Sequence, residues 1–297
     1  MSLYLLIAYI MMIFLVGAAI VPIILLCGYI YNKDTHKEPM GLLAKIFILG
    51  FVSAYPVVEV ELLLGNFFST DKGGLIVIFI GTFISVALVE EGFKWLITKF
   101  FGYNNEEFDE VFDVIVYSVF ASLGFACIEN ILYVLQYQNP ISRALISIPG
   151  HTCFGVLMGY YFAQAKVASM NNNQELCNKN MLKSIFVPTF FHAVFDALIF
   201  TFVEKENYFY LSLFFVFDIC MVIYCFLIVN KVSKVQQNLT SKIKSGVISN
   251  NGRGQIVYNE TVPKTINYCP ICGSPVRGGH FCNNCGFNLD YNRDGSN

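Results

Sequence analysis

Ser85-Val86-Ala87-Leu88-Val89-Glu90-Glu91-Gly92-Phe93-Lys94-Trp95-Leu96-Ile97 places two adjacent carboxylates and a lysine inside an apolar run. No charged residue occurs from Leu75 to Val89, and apolar residues resume after Lys94. In a membrane helix, a charge near the bilayer centre costs roughly 2.5–3.5 kcal/mol on insertion scales. Residues kept at that cost mark a functional site, provided that the chain supplies partners for them.

The rest of the chain suits a membrane setting. Of its 297 residues, 56% are hydrophobic and 13% charged. A soluble domain carries about 25% charged residues. The chain therefore reads as an all-α polytopic membrane protein whose surroundings are lipid bilayer. No basic stripe points to nucleic acid. Seven stretches reach the roughly 20 apolar residues needed to span, near 3–30, 41–65, 74–101, 111–136, 142–168, 182–203 and 208–230. The first lacks a positive start and outruns a signal-peptide core, so it reads as a retained span. Lys33, Lys37 and Lys45 follow the first span, Lys99 the third, and Lys166, Lys179 and Lys183 the fifth. Lys231, Lys234, Lys242 and Lys244 follow the seventh, whereas the other connections hold only Lys72, Arg143 and Lys205. The positive-inside rule then puts the N-terminus outside and the C-terminus in the cytoplasm, which needs an odd number of spans.

Residues 1–230 thus form a bundle of about seven transmembrane helices, and 231–262, rich in Lys, Ser, Asn and Gln, a flexible cytoplasmic linker. Residues 263–297 carry Cys269-Pro-Ile-Cys272-Gly and Cys282-Asn-Asn-Cys285-Gly. Two such knuckles suit a structural Zn²⁺ held by Cys269, Cys272, Cys282 and Cys285. Two disulfides would be the other pairing, but cytoplasmic thiols stay reduced. A closed four-thiolate ribbon leaves no open coordination position, so it suits binding of a protein partner rather than chemistry. Cys27, Cys127, Cys153, Cys177, Cys220 and Cys225 show no paired spacing and read as small hydrophobes.

Other spans offer the partners that the third requires. Lys94 stands four residues after Glu90 and three after Glu91, within reach of either carboxylate. The two glutamates point about 100° apart, so one lysine is not expected to account for both. The fourth span has Phe125-Ala-Cys-Ile-Glu129-Asn130-Ile-Leu-Tyr133, and the fifth opens with Pro149-Gly150-His151 before Gly155 and Gly159. That spacing of small residues lets helices approach closely and presses His151 on a neighbour. The sixth has His192-Ala-Val-Phe-Asp196, where the carboxylate can orient the imidazole. Such a group can activate water, with a histidine or Asn130 donating to the oxyanion. HExxH, GxGD and GxSG motifs are absent. The same residues could serve a proton- or ion-coupled transporter. They could also be the structural glue of a scaffold whose ribbon does the binding. No repeated halves favour a transporter. Glu and His can ligate a divalent ion, but a lysine beside them argues against one.

Glu90-Glu91-Gly-Phe-Lys94, the Phe125–Tyr133 stretch, His151 and His192-Ala-Val-Phe-Asp196 together resemble the PrsW family of intramembrane proteases. That family is related to the CAAX prenyl protease and bacteriocin-processing superfamily. Asp34-Thr-His-Lys-Glu38-Pro39 resembles the family's Asp…Glu-Pro loop. The resemblance covers roughly residues 1–230. It implies a glutamate-type membrane endopeptidase cutting membrane-anchored proteins such as anti-sigma factors. By analogy, Glu90 or Glu91 would be general base with His192 as partner on the water, and His151 and Asp196 orienters or oxyanion stabilisers. Glu129 stands where the prenyl protease branch has a histidine. The zinc ribbon lies outside the family pattern.

Overall fold

A computed structural model describes residues 3–67, 74–137, 140–170, 173–244, 248–250 and 256–258. Seven of its helices are long and apolar enough to cross a membrane. The first is Leu3–Lys33 and the second Met40–Gly65. The third, Leu75–Tyr103, includes π-helical turns at Phe83–Ala87 and Thr98–Tyr103. The fourth is Asp113–Tyr137, the fifth Pro140–Ser169, the sixth Gln174–Lys205 and the seventh Tyr208–Lys244.

The expected spans are all present, with two ends displaced. The sixth helix starts at Gln174 because the Asn173 side chain accepts from the Leu176 N–H, satisfying one of the free amides of its first turn. The seventh continues to Lys244, so helix occupies the first part of the expected linker. Beyond it, Ile248–Asn250 pairs antiparallel with Ile256–Tyr258. The four ribbon cysteines lie outside the described residues. The other six cysteines are free thiols, four of them buried.

The fourth helix is the axis of the bundle, with 83% of its most apolar window buried against 11% for the first. Glycines permit this. A Cβ on Gly124 would stand 2.1 Å from the Phe47 carbonyl oxygen, and one on Gly50 2.1 Å from that of Ala121. The second and fourth helices therefore touch backbone to backbone. Across the opposite contact, a Cβ on Gly155 would lie 2.9 Å from the Val119 Cα, and one on Gly159 2.6 Å from the Ile115 Cα. Ser118 Oγ donates to the Gly155 carbonyl at 2.8 Å and Ser122 Oγ to that of His151 at 2.7 Å. The small-residue spacing thus presses the fifth helix on the fourth, as expected.

Three helix ends meet on one face. Lys33 Nζ donates to Asn230 Oδ1 at 2.7 Å, Ser233 Oγ to the Lys33 carbonyl at 2.6 Å, and the Phe112 N–H to Gln236 Oε1 at 3.1 Å. The end of the first helix, the start of the fourth and the last third of the seventh share one side, as an odd count of spans requires.

Candidate active site

The third helix carries the centre of the site just after its first π-helical turn. Such turns add a residue to the helical register and recur at functional sites. Here the turn at Phe83–Ala87 sets the direction in which Glu90, Glu91 and Lys94 face. Glu91 and Lys94 are 0% exposed and Glu90 is buried. Lys94 Nζ donates to Glu91 Oε1 at 2.8 Å and to Glu90 Oε2 at 2.9 Å. One lysine therefore serves both glutamates, contrary to the expectation from their 100° separation. The long lysine side chain reaches the gap between them, which an angle at the helix axis does not capture.

The same ammonium lies 3.2 Å from His151 Nδ1 and 4.3 Å above the centroid of the Phe125 ring. An ammonium can only donate, so Nδ1 accepts and His151 carries its proton on Nε2. That N–H donates to Glu129 Oε2 at 2.7 Å. Glu129 Oε1 pairs with Arg143 at 2.9 Å, and Arg143 Nε donates to Asn130 Oδ1 at 2.7 Å. His151 therefore links Lys94 to Glu129, with both ring nitrogens engaged. Asn130 turns toward Arg143.

His192 reaches the centre from the sixth helix. Its Nδ1 lies 3.0 Å from Glu91 Oε1 and its Nε2 3.4 Å from Asp196 Oδ2. Phe154, one turn along from His151, stacks on the imidazole with centroids 4.5 Å apart and planes 17° from parallel. Glu91 Oε2 is buried without a hydrogen-bond partner among the described residues.

All seven sequence candidates, Glu90, Glu91, Lys94, Glu129, His151, His192 and Asp196, thus join one connected polar group. Sequence reasoning missed Glu61 on the second helix. Its carboxylate interacts electrostatically with Glu90, Glu129, His192 and Lys94, and its Oε1 is buried without a partner. The pair Glu59 and Glu61 in an apolar span was the available signal.

Comparison with known proteins bears on this geometry. Residues 38–228 match the model of the "PrsW family intramembrane metalloprotease". "Protease PrsW" of Geobacillus kaustophilus is 36% identical over 204 residues, covering 67% of this chain and 85% of that protein. "Protease PrsW" of Oceanobacillus iheyensis is 36% identical over 190 residues, 63% of this chain and 84% of its own. That of Bacillus subtilis is 33% identical over 188 residues, 62% and 82% respectively. No solved structure matches the chain.

The family description implies a metal ion, and the donors can be tested against one. Glu90, Glu91 and His151 each offer an atom, all within 4.8 Å of one another. Their type suits a divalent ion. The place where they converge, however, is filled by the Lys94 ammonium, which touches one atom of each. A dication there would meet a fixed positive charge that already holds one oxygen of each carboxylate. As folded, this donor set does not fit a divalent ion. Matching most of the multi-helix region, the comparisons decide for peptidase over transporter or scaffold: the chain belongs to the PrsW family of intramembrane proteases.

Proposed function

We propose that Glu91 is the general base of peptide-bond hydrolysis and His192 its partner on the water. The observation that carries this is the buried, unpartnered Oε2 of Glu91, whose other oxygen is held by Lys94 and His192. Buried acceptors are almost always satisfied, and a water donating to Oε2 satisfies this one. As the water oxygen bonds to the scissile carbonyl carbon, its proton passes to Glu91. The carbonyl oxygen takes up the negative charge, countered by the cationic Lys94 and by a protonated His192. When the carbon–nitrogen bond breaks, the proton on Glu91 goes to the leaving amine. Asp196 positions the imidazole. The Glu129–Arg143 pair holds His151, and through it the lysine. No metal takes part in this reading.

The substrate class is a membrane-anchored protein, with anti-sigma factors the example that the resemblance supplies. The lysine distribution supports an outside N-terminus and a cytoplasmic C-terminus. The four cysteines support a Zn²⁺ ribbon that recognises a substrate or partner.

The test is cleavage of tagged single-pass membrane proteins in cells at matched expression. General-base contributions run to about 10²–10⁴-fold. Glu91→Gln and His192→Ala should lose the product band while staying in the membrane, and Glu90→Gln should retain part of it. Activity surviving in Glu91→Gln but not in Glu90→Gln would exchange the two roles. Unchanged products in all three would remove the group from catalysis.

A further inference from the structure

A second acidic group lies far from the active site. Asp34 follows the first helix, Glu110 sits in the connection after the third, and Asp113 opens the fourth. Each offers a carboxylate oxygen, and the three oxygens lie within 4.8 Å of one another. Asp113 precedes Glu129 by sixteen residues on one helix, about 24 Å of rise, so this group is separate from the active site. It occupies the face where the ends of the first, fourth and seventh helices meet.

The nearby donors leave much of this charge unmet. Asp113 Oδ2 accepts from the N–H groups of Asp109 at 3.1 Å and Glu110 at 2.6 Å. Glu110 Oε1 meets His36 Nδ1 at 2.5 Å. Lys37, the adjacent cation, donates to the backbone carbonyls of Tyr31 and, at 2.9 Å, Asp34 rather than to a carboxylate. The Tyr117 hydroxyl goes to the neighbouring Glu38. Both oxygens of Asp34, Oε2 of Glu110 and Oδ1 of Asp113 remain buried with no hydrogen-bond partner. Asp34 is 4% exposed and Asp113 0%. Gln236 and the N–H groups of Thr35 and His36 stand near Asp34, but none hydrogen-bonds to its carboxylate. Burial also holds the carboxyl groups of Asp34 and Glu110 above their usual range.

We propose that Asp34, Glu110 and Asp113 bind a hard divalent cation of the Ca²⁺, Mg²⁺ or Mn²⁺ class. An all-oxygen, anionic donor set selects such ions. Oxygens bound to one ion at about 2.4 Å stand at most about 4.8 Å apart, a limit that the three carboxylates meet. The ion ties the connections after the first and third helices to the start of the fourth.

The probe is Mn²⁺, titrated by electron paramagnetic resonance into metal-stripped, detergent-purified full-length protein. Wild type and Glu91→Gln should take up one equivalent that Asp34→Asn and Asp113→Asn lack. Saturating Mn²⁺ should raise the melting temperature of the first two only. Without metal, Asp34→Asn should melt no lower than wild type, because it removes a buried unpaired charge. Equal uptake by Asp34→Asn and wild type, no uptake by wild type, or loss of the equivalent in Glu91→Gln would each overturn the proposal. If both carboxamide variants aggregate, wild type and Glu91→Gln decide, and a melt that Mn²⁺ leaves unmoved in either overturns it.

Discussion

Lys94 is the residue on which the candidate active site turns. It is fully buried and satisfied by two glutamates and a histidine. Removing one partner of a buried ion pair costs about 3–5 kcal/mol, because the other charge is left uncompensated. Lys94→Met should therefore abolish cleavage and lower the melting temperature in detergent, whereas Glu90→Gln should cost far less stability. A Lys94→Met protein that melts and cuts like wild type would contradict the shared-lysine geometry. At this scale the sequence was informative about residue type and poor about reach. Glu90, Glu91, His192 and Asp196 were legible because charge and imidazole in apolar spans must find partners. That Lys94 serves both glutamates was not legible, since spacing gives a direction at the helix axis and not where a four-carbon chain ends. Glu61 was missed because a carboxylate shows its partners only after the second helix is packed.

Among the elements, the fourth helix is held by glycines on both sides. A side chain at Gly124 would collide with the Phe47 carbonyl at 2.1 Å, and a backbone atom cannot swing away. Gly17, on the first helix, has nothing within 4 Å of the same position. Overpacking typically costs about 1–3 kcal/mol, and a clash with backbone belongs at or above the upper end. Gly124→Ala should broaden elution and lower the melting temperature, and Gly17→Ala should do neither. Equal melts would deny the close approach of the second and fourth helices. The Gly155 and Gly159 contact could be foreseen from its four-residue spacing. The Gly50 and Gly124 contact could not, because its two glycines sit on different helices.

For the whole molecule, the count of seven spans followed from hydropathy and lysine placement alone. The reach of the seventh helix to Lys244 did not, because its polar end resembles linker by composition. The two ends of the chain differ in composition, with carboxylates beside the first connection and four cysteines near the C-terminus. Replacing Cys269, Cys272, Cys282 and Cys285 with serine should remove all zinc from the purified protein, to be read by elemental analysis. One equivalent of zinc that remains there and is lost when Glu91→Gln is added would return a metal to the glutamate site.

The Lys94 pairing also bears on how the chain is made. Helices enter the membrane in order of synthesis, so the third does so ahead of the helices that carry His151 and His192. At that moment its only compensation is internal, three and four residues away along its own surface. The intrahelical bridge is thus an insertion device before it is part of a protease, lowering the charge presented to lipid from three groups to a net one. The third helix enters the bilayer already partly neutralised, and the later helices add Glu129, Arg143, His151, His192 and Asp196 to its polar group.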